Sequence, residues 1–296
     1  MVALVSSLPP AVAVIGVADP SRPSAIAAAA ELGLVEDGSH RVGHGRSVVS
    51  FVWGRERRTP SRGDADADVA AVVRELRRRG IAAVTGPRSA GHAVAWAARN
   101  APVPFGPDAC VCFPWTVFDR ADFATVVEID PGAGFGAGGH PTTLLLLERL
   151  RSLDLAGRRV LDVGCGTGVL AIAAAHLGAS TVTAIDIAPA AVAATERNVD
   201  ANDVTDRVEV ILGEVGAAVH AEFDVVLANI VLDVLVSLAP ELQARTAPGG
   251  LLAVSGLSPA QPSTLAAELA SMVPIWTDER TEWVAIGLQS KLICGS

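Results

Sequence analysis

The sequence predicts an α/β protein with a doubly wound, mostly parallel sheet that follows a smaller α+β domain. From about residue 125 onward, almost continuously apolar strands alternate with helices, which is typical of a parallel sheet covered on both faces. Before residue 90 the elements follow the order β-α-β-β-α-β, that of a ferredoxin-like domain. The predicted limits are 1–90 for this first domain, 91–124 for a linker and 125–296 for the sheet domain.

The first domain is predicted from alternating apolar runs and turn residues. We expect the first of its two helices to start at a proline and the second to start at aspartates. Its first hairpin strand falls in the turn-rich residues before Ser47. The other strands are predicted at Ala11–Ala18, Ser47–Trp53 and Ile81–Gly86, and the helices at Pro23–Leu34 and Asp66–Gly80.

The second domain is predicted to have seven strands, of which the last two form an antiparallel hairpin because no helix separates them. The strands are predicted at Arg159–Val163, Thr181–Asp186, Arg207–Leu212, Phe223–Asn229, Gly249–Ser255, Val273–Glu279 and Glu282–Gln289. The helices between them are predicted at Thr167–Leu177, Ala188–Ala201, Val231–Thr246 and Pro259–Ser271, and a further helix is predicted to begin near Pro141.

Composition and charge exclude several classes of protein. The chain has 296 residues, 50% of them hydrophobic, and a net charge of −9, so it can bury cores and does not attract nucleic acid as a whole. The four cysteines have neither zinc-site nor disulfide-framework spacing. With no leader or membrane span indicated, we expect a cytoplasmic protein without a metal, and without nucleic acid or a membrane as direct partners.

A glycine-rich loop follows the first strand of the sheet domain, in the stretch "LDVGCGTGVL". A dinucleotide fingerprint needs Gly or Ala where this chain has Val169, and a P-loop needs a lysine after the glycines. Both alternatives therefore fail. A parallel sheet binds its ligand at the carboxyl ends of its strands, which is where this loop lies.

An acidic residue, Asp186, ends the next strand, 22 positions after Gly164. Its carboxylate can accept hydrogen bonds from both hydroxyls of a ribose, and the glycine backbone can accommodate an amino-acid tail. This combination predicts S-adenosylmethionine as the cofactor. The simpler alternative is a tight strand-to-helix turn in which Asp186 caps the following helix.

Three further motifs resemble those of a known family. They are "IDPGAGFGAGGHPTTLLLLERL", "VVLANIVLDVLVSLAPEL" and "GGLLAVSGL", and together with the glycine loop they resemble the PrmA family, bacterial methyltransferases that modify amino groups of a large-subunit ribosomal protein. The resemblance extends from about Phe105 to Gln289. It implies a seven-stranded Rossmann-like methyltransferase sheet and a ferredoxin-like domain that recognises the substrate.

The resemblance also implies roles for individual residues. Asn229 and the backbone carbonyl of Ile230 would orient the acceptor amine. For two of the residues expected to bind the cofactor there is a simpler alternative: Thr143 could cap its helix, and Asn229 could be a turn residue. His140 is expected to be a loop or cap residue rather than a base. The expected cofactor-binding residues are Thr143, Gly164, Gly166, Asp186, Asn229, Phe135 and Gly136.

The expected function is methylation of protein amino groups, with a ribosomal protein as acceptor. The alternative is methylation of a small amine on the same fold, because fold and cofactor motifs do not define the acceptor. An ammonium acceptor must lose a proton to water or to a carboxylate, for which Asp233 and Glu282 are candidates. The chain departs from the family at Ala137, where the family usually has Thr, and this removes a hydroxyl from the loop.

Overall fold

The computed structural model describes two compact units. One comprises Met1–Pro102 with Cys112–Asp122, and the other Val103–Val111 with Phe123–Ser296. The described residues are 12–18, 22–31, 34–41, 46–53, 74–75, 78–79, 83–86, 101–114, 116, 118–131, 138–218 and 222–291.

The first unit contains a four-stranded antiparallel sheet. Its elements are β1 (Val12–Ala18), α1 (Arg22–Glu31), β2 (Leu34–Arg41), β3 (Arg46–Trp53) and β4 (Ala83–Gly86). The strand order β2-β3-β1-β4 is the ferredoxin-like order that the sequence predicts.

Two predicted elements of the first unit are described in part or differ from expectation. The turn-rich "LVEDGSHR" forms β2 because it pairs along β3, with a register shift between Glu36 and Gly38. Of the predicted helix Asp66–Gly80, residues 74, 75 and 78 are helical, while 66–73, 76–77 and 80 lie outside the described residues.

The second unit begins with a small three-stranded sheet of β5 (Val103–Pro104), β6 (Ala109–Cys112) and β7 (Thr125–Glu128). Strands β5 and β6 lie in the predicted linker 91–124, whose richness in Pro and Gly does not indicate such short strands. The domain limits remain predictions.

A seven-stranded sheet forms the rest of the second unit, in the order β10-β9-β8-β11-β12-β14-β13. The first five strands in this order are parallel, and β14 is antiparallel to both β12 and β13. The predicted parallel sheet with a terminal hairpin is confirmed. Its elements are α2 (Pro141–Ser152), β8 (Arg159–Val163), α3 (Val169–His176), β9 (Thr181–Asp186), α4 (Pro189–Ala201), β10 (Val208–Leu212), β11 (Phe223–Asn229), α5 (Leu232–Arg245), β12 (Thr246–Leu257), α6 (Pro262–Glu268), β13 (Met272–Arg280) and β14 (Trp283–Ser290).

The strand order reverses at β8. Chain order proceeds from β8 to β9 and β10 on one side, and continues from β11 to β12 on the other. In open α/β sheets, ligands bind at such a switch point, outside the carboxyl ends of the strands. The glycine loop after β8 and the "ANI" sequence at the end of β11 therefore meet at the same edge of the sheet.

Alternate residues of each central strand enter different hydrophobic clusters. Val160 of β8 belongs to one cluster, and Leu161 and Val163 belong to the other. Strand side chains alternate between the two faces of a sheet, so the clusters cover opposite faces. Helix α3, which follows the glycine loop, is buried along Val169–Ala175, and its small alanines allow a close approach to the sheet.

Two elements of the second unit differ most in length from their predicted bounds. Strand β12 extends beyond Gly249–Ser255 because β11 and β14 pair with it on both sides. Helix α6 is shorter than Pro259–Ser271 and begins at Pro262, because Gln261 forms a turn in which its side chain accepts a hydrogen bond from the Ser258 amide at 2.7 Å.

Candidate functional site

The glycine loop is attached to the end of β9 by backbone hydrogen bonds. The amides of Gly164 and Cys165 both donate to the Ile185 carbonyl, at 2.9 and 3.1 Å. Gly168 has a φ of +80°, and a Cβ at this position would lie 2.7 Å from Cγ2 of Thr195. Glycine is required here both by the left-handed backbone and by the close approach of α4.

Asp186 contacts the glycine loop and the residues that follow β9. One carboxylate oxygen accepts a hydrogen bond from the Gly166 amide at 3.1 Å, and the other accepts from the Ala188 amide at 2.9 Å. The carboxylate also lines the cavity described below. Each carboxylate oxygen can accept more than one hydrogen bond, so the turn-forming role is compatible with binding ribose hydroxyls.

Asn229 ends β11, and its side-chain amide donates to the Thr143 hydroxyl at 3.2 Å. Thr143 is fully buried in the first turn of α2. The helix cap is His140, whose Nδ1 accepts from the Thr142 amide at 3.4 Å. The expected cap role of His140 is therefore observed, and the Thr143 hydroxyl connects α2 to the end of β11.

Ile230 lies between the glycine loop and β12. A Cβ at Gly164 would be 2.8 Å from Cγ2 of Ile230, and a Cβ at Gly256 would be 2.5 Å from its carbonyl oxygen. Both glycines have a positive φ, +71° and +91°. The position of the Ile230 carbonyl therefore depends on the absence of a side chain at Gly256.

Two buried ionisable groups lie beside the loop. Asp162 is 1% exposed and accepts a hydrogen bond from the Ala171 amide at 3.1 Å. Burial, with a smaller contribution from the nearby charge of Asp186, raises the pKa of Asp162 to about 7. Burial, with the charge of Asp162, also raises the pKa of Cys165 to about 12, so this cysteine is a neutral thiol.

One cavity of about 1300 Å³ brings these residues together. The predicted site residues that line it are Thr143, Gly164, Gly166, Asp186, Asn229 and Ile230. Phe135 and Gly136, together with Ala137, lie outside the described residues. Neither Asp233 nor Glu282 is among the cavity-lining residues of the described part of the chain.

Several other residues of this cavity are not among the predicted site residues. Trp283 lines it and packs edge-to-face against His140, with ring centroids 5.2 Å apart. Gly256 and Asp162 also contribute. The aspartate preceding the glycine loop was a visible signal, whereas Gly256 reaches the site through the pairing of β12 with β11, and Trp283 through the pairing of β14 with β12.

Within the described residues, no group of three or more His, Cys, Asp or Glu side chains could hold a metal ion. No described helix combines the length and hydropathy needed to cross a membrane. Cys110, Cys112 and Cys165 are buried, and Cys294 lies outside the described residues.

The reversed strand order, the glycine loop at the switch point and the acidic residue ending β9 define a class I methyltransferase fold. The chain belongs to the PrmA family, because the family model described as "Ribosomal protein L11 methyltransferase (PrmA)" matches residues 83–291.

Individual relatives agree with this assignment. A ribosomal protein L11 methyltransferase of Methylococcus capsulatus is 43% identical over 175 residues, which are 59% of this chain and 59% of that protein. One from Symbiobacterium thermophilum is 36% identical over 219 residues, 72% of this chain and 71% of that protein.

The crystal structure of a ribosomal protein L11 methylase from Lactobacillus delbrueckii subsp. bulgaricus has 27% identity and a TM-score of 0.60, and covers 64% of this chain and 99% of that chain. The chain spans about three fifths of the length of relatives such as the M. capsulatus protein.

Proposed function

We propose that this protein is an S-adenosylmethionine-dependent N-methyltransferase that acts on amino groups of a ribosomal protein. The observation that carries the proposal is the single cavity in which Asn229 and Ile230 lie beside the glycine loop. The names of the relatives, which describe methylation of ribosomal protein L11, support the acceptor class. A ribosomal acceptor also implies that the reaction takes place in the cytoplasm.

The cavity fits S-adenosylmethionine. The glycine loop has no Cβ atoms at Gly164 and Gly166, so its backbone can be approached closely, and Asp186 supplies an acceptor for ribose hydroxyls. Together with Thr143, which also lines the cavity, these residues would hold the cofactor. When bound, the cofactor would supply an electrophilic methyl group.

Asn229 and Ile230 would position the amine. Nδ2 of Asn229 donates to the Thr143 hydroxyl, so the other end of this side chain, Oδ1, is the atom that would accept a hydrogen bond from the amine. The Ile230 carbonyl would be a second acceptor. Two acceptors at the end of β11 can bind the hydrogens of a neutral amine and so direct its lone pair. Such positioning accounts for effective molarities of about 10⁵ M or more in intramolecular reactions.

These groups are weak bases, so an ammonium acceptor must lose its proton elsewhere. Asp233 and Glu282 are both exposed and lie outside the cavity lining, which favours transfer of the proton to water. The net charge of −9 favours the approach of a basic acceptor protein.

The test is incubation of the purified protein with methyl-labelled S-adenosylmethionine and either ribosomes from cells lacking this activity or a panel of small amines. We expect label in one ribosomal protein, on lysine or the N-terminal amine by mass spectrometry. The Asn229→Ala variant serves as the low-turnover control. Label found only in small amines would contradict the proposed acceptor and favour the metabolite alternative.

A further inference from the structure

Asn198 of α4 is a buried amide, 2% exposed, that contacts both the glycine loop and Asp130. We infer that Asn198 is a positioning residue that holds the glycine loop at a fixed distance from Asp130, and that it thereby sets the affinity for the cofactor. The inference rests on the proposed function. Asp130 immediately precedes the motif "PGAGFGAGGHPTT" in the sequence.

The Asn198 side chain hydrogen-bonds to both segments at once. Its Nδ2 donates to the Thr167 carbonyl of the glycine loop at 2.9 Å and to the Asp130 carbonyl at 3.2 Å. Its Oδ1 accepts from the Asp130 amide at 2.9 Å. A primary amide has two N–H donors, so both donors and the carbonyl oxygen are engaged in joining the segments.

Neighbours on the same face of α4 contact one segment each. Thr195 donates to the Gly166 carbonyl at 3.1 Å, on the glycine loop. Asn202 bonds both backbone groups of Glu128, accepting from the amide at 2.9 Å and donating to the carbonyl at 2.7 Å. Positions 195, 198 and 202 have the spacing of one helix face, and among these three Asn198 alone bonds both segments in the described structure.

Replacement of Asn198 would remove its hydrogen bonds to the buried Thr167 and the half-buried Asp130. The loss of hydrogen bonds at buried polar groups is costly, so we expect the glycine loop to shift and its backbone to match the ligand less well. An aspartate at this position keeps the shape and the acceptor for the Asp130 amide. It loses both donors and faces the Thr167 and Asp130 carbonyls with an oxygen.

The test compares Asn198→Asp and Asn198→Ser with Asn202→Ser as the matched control. All three remove buried amide hydrogen bonds on the same helix face, so their thermal midpoints should fall comparably. Titration calorimetry with S-adenosylhomocysteine should give a Kd raised about 10-fold or more in the Asn198 variants, and within about 2-fold of wild type in Asn202→Ser. In turnover, KM for S-adenosylmethionine should rise while KM for the acceptor stays unchanged.

The outcomes separate this inference from the proposed function. If wild type binds S-adenosylhomocysteine and the folded Asn198 variants bind it equally well, the positioning role is wrong and the proposed function stands. An equal loss of affinity in Asn202→Ser would also overturn it, since the effect would then belong to the helix as a whole. If wild type binds nothing, both proposals fail. Asn198→Ser, which keeps a short hydroxyl, decides the question if Asn198→Asp does not fold.

Discussion

Compared with the β8–β9 side of the cavity, the β11 side is held by fewer and different contacts. The glycine loop is fixed by backbone hydrogen bonds to Ile185 and by the Asp186 carboxylate. Asn229 is connected through one side-chain hydrogen bond to Thr143, and Ile230 is packed against Gly256. The difference suggests a division of labour, in which one side determines cofactor affinity and the other determines turnover.

The largest effect is expected on the β11 side. Asn229→Ala should lower kcat about 100-fold or more, because the variant loses the acceptor that we propose orients the amine. The Kd for S-adenosylhomocysteine should change by about 2-fold or less. Rapid-quench assays with labelled cofactor and calorimetry measure the two quantities, and a large rise in Kd with normal kcat would assign Asn229 to the cofactor side.

On the β8–β9 side, Asp186→Ala should weaken S-adenosylhomocysteine binding about 100-fold. In the proposed role the carboxylate would form charge-assisted hydrogen bonds with the ligand, and it accepts a hydrogen bond from the Gly166 amide. Asp200→Ala, an exposed aspartate on α4, is the control. Unchanged affinity in Asp186→Ala would contradict the ribose-binding role.

A smaller effect is expected at Gly256, which borders the Ile230 carbonyl. Gly256→Ala places a Cβ 2.5 Å from this oxygen and should lower kcat about tenfold by displacing it. Gly157→Ala is the matched control, because Gly157 also has a positive φ, +73°, but has no atoms within 4 Å of an added Cβ. Equal losses in both variants would attribute the effect to backbone strain alone.

The smallest effect concerns stability and Asp162. Its pKa is raised from 3.8 to about 7 in the folded protein, so the folded state holds this proton more tightly than the unfolded state. The contribution of Asp162 to the free energy of unfolding is therefore complete below about pH 4 and is lost as the pH rises toward 7. The free energy of unfolding falls by up to about 1.4 kcal/mol per pH unit in this range.

Asp162→Asn removes this titration and keeps an acceptor for the Ala171 amide. Urea unfolding of wild type and variant at several pH values between 4 and 8 tests whether Asp162 causes this pH dependence. The variant should show a shallower decline of the free energy of unfolding between pH 5 and 6. Parallel curves for the two proteins would mean that Asp162 is ionised in the folded state at these pH values.

The fold was predictable because its signals are local. Apolar runs separated by helices identified every strand of the large sheet, and three of them, Arg159–Val163, Thr181–Asp186 and Phe223–Asn229, have the predicted bounds. The short strands β5, β6 and β7 were not predicted, since strands of two and four residues carry too little periodicity. Helix α6 was overestimated because a polar turn with Gln261 precedes it.

The site was predictable on the side that consists of continuous motifs. Gly164 and Gly166 directly follow β8, and Asp186 is the last residue of β9. Because β8 and β9 are neighbouring parallel strands, these residues lie at the same edge of the sheet. Gly256 and Trp283 reach the cavity through sheet pairing between distant segments, and the Asn198 bridge depends on helix packing against two loops. Neither relation produces a local pattern, so a single sequence does not reveal them.

The most direct test of the division of labour is the rate of methyl transfer at increasing S-adenosylmethionine concentration, measured for Asp186→Ala and Asn229→Ala with saturating ribosomal acceptor. At saturating cofactor, Asp186→Ala should recover a rate close to wild type, whereas Asn229→Ala should stay slow. Recovery of Asn229→Ala, or a persistent loss in Asp186→Ala despite saturation, would contradict the separation of cofactor binding from turnover between the two sides of the cavity.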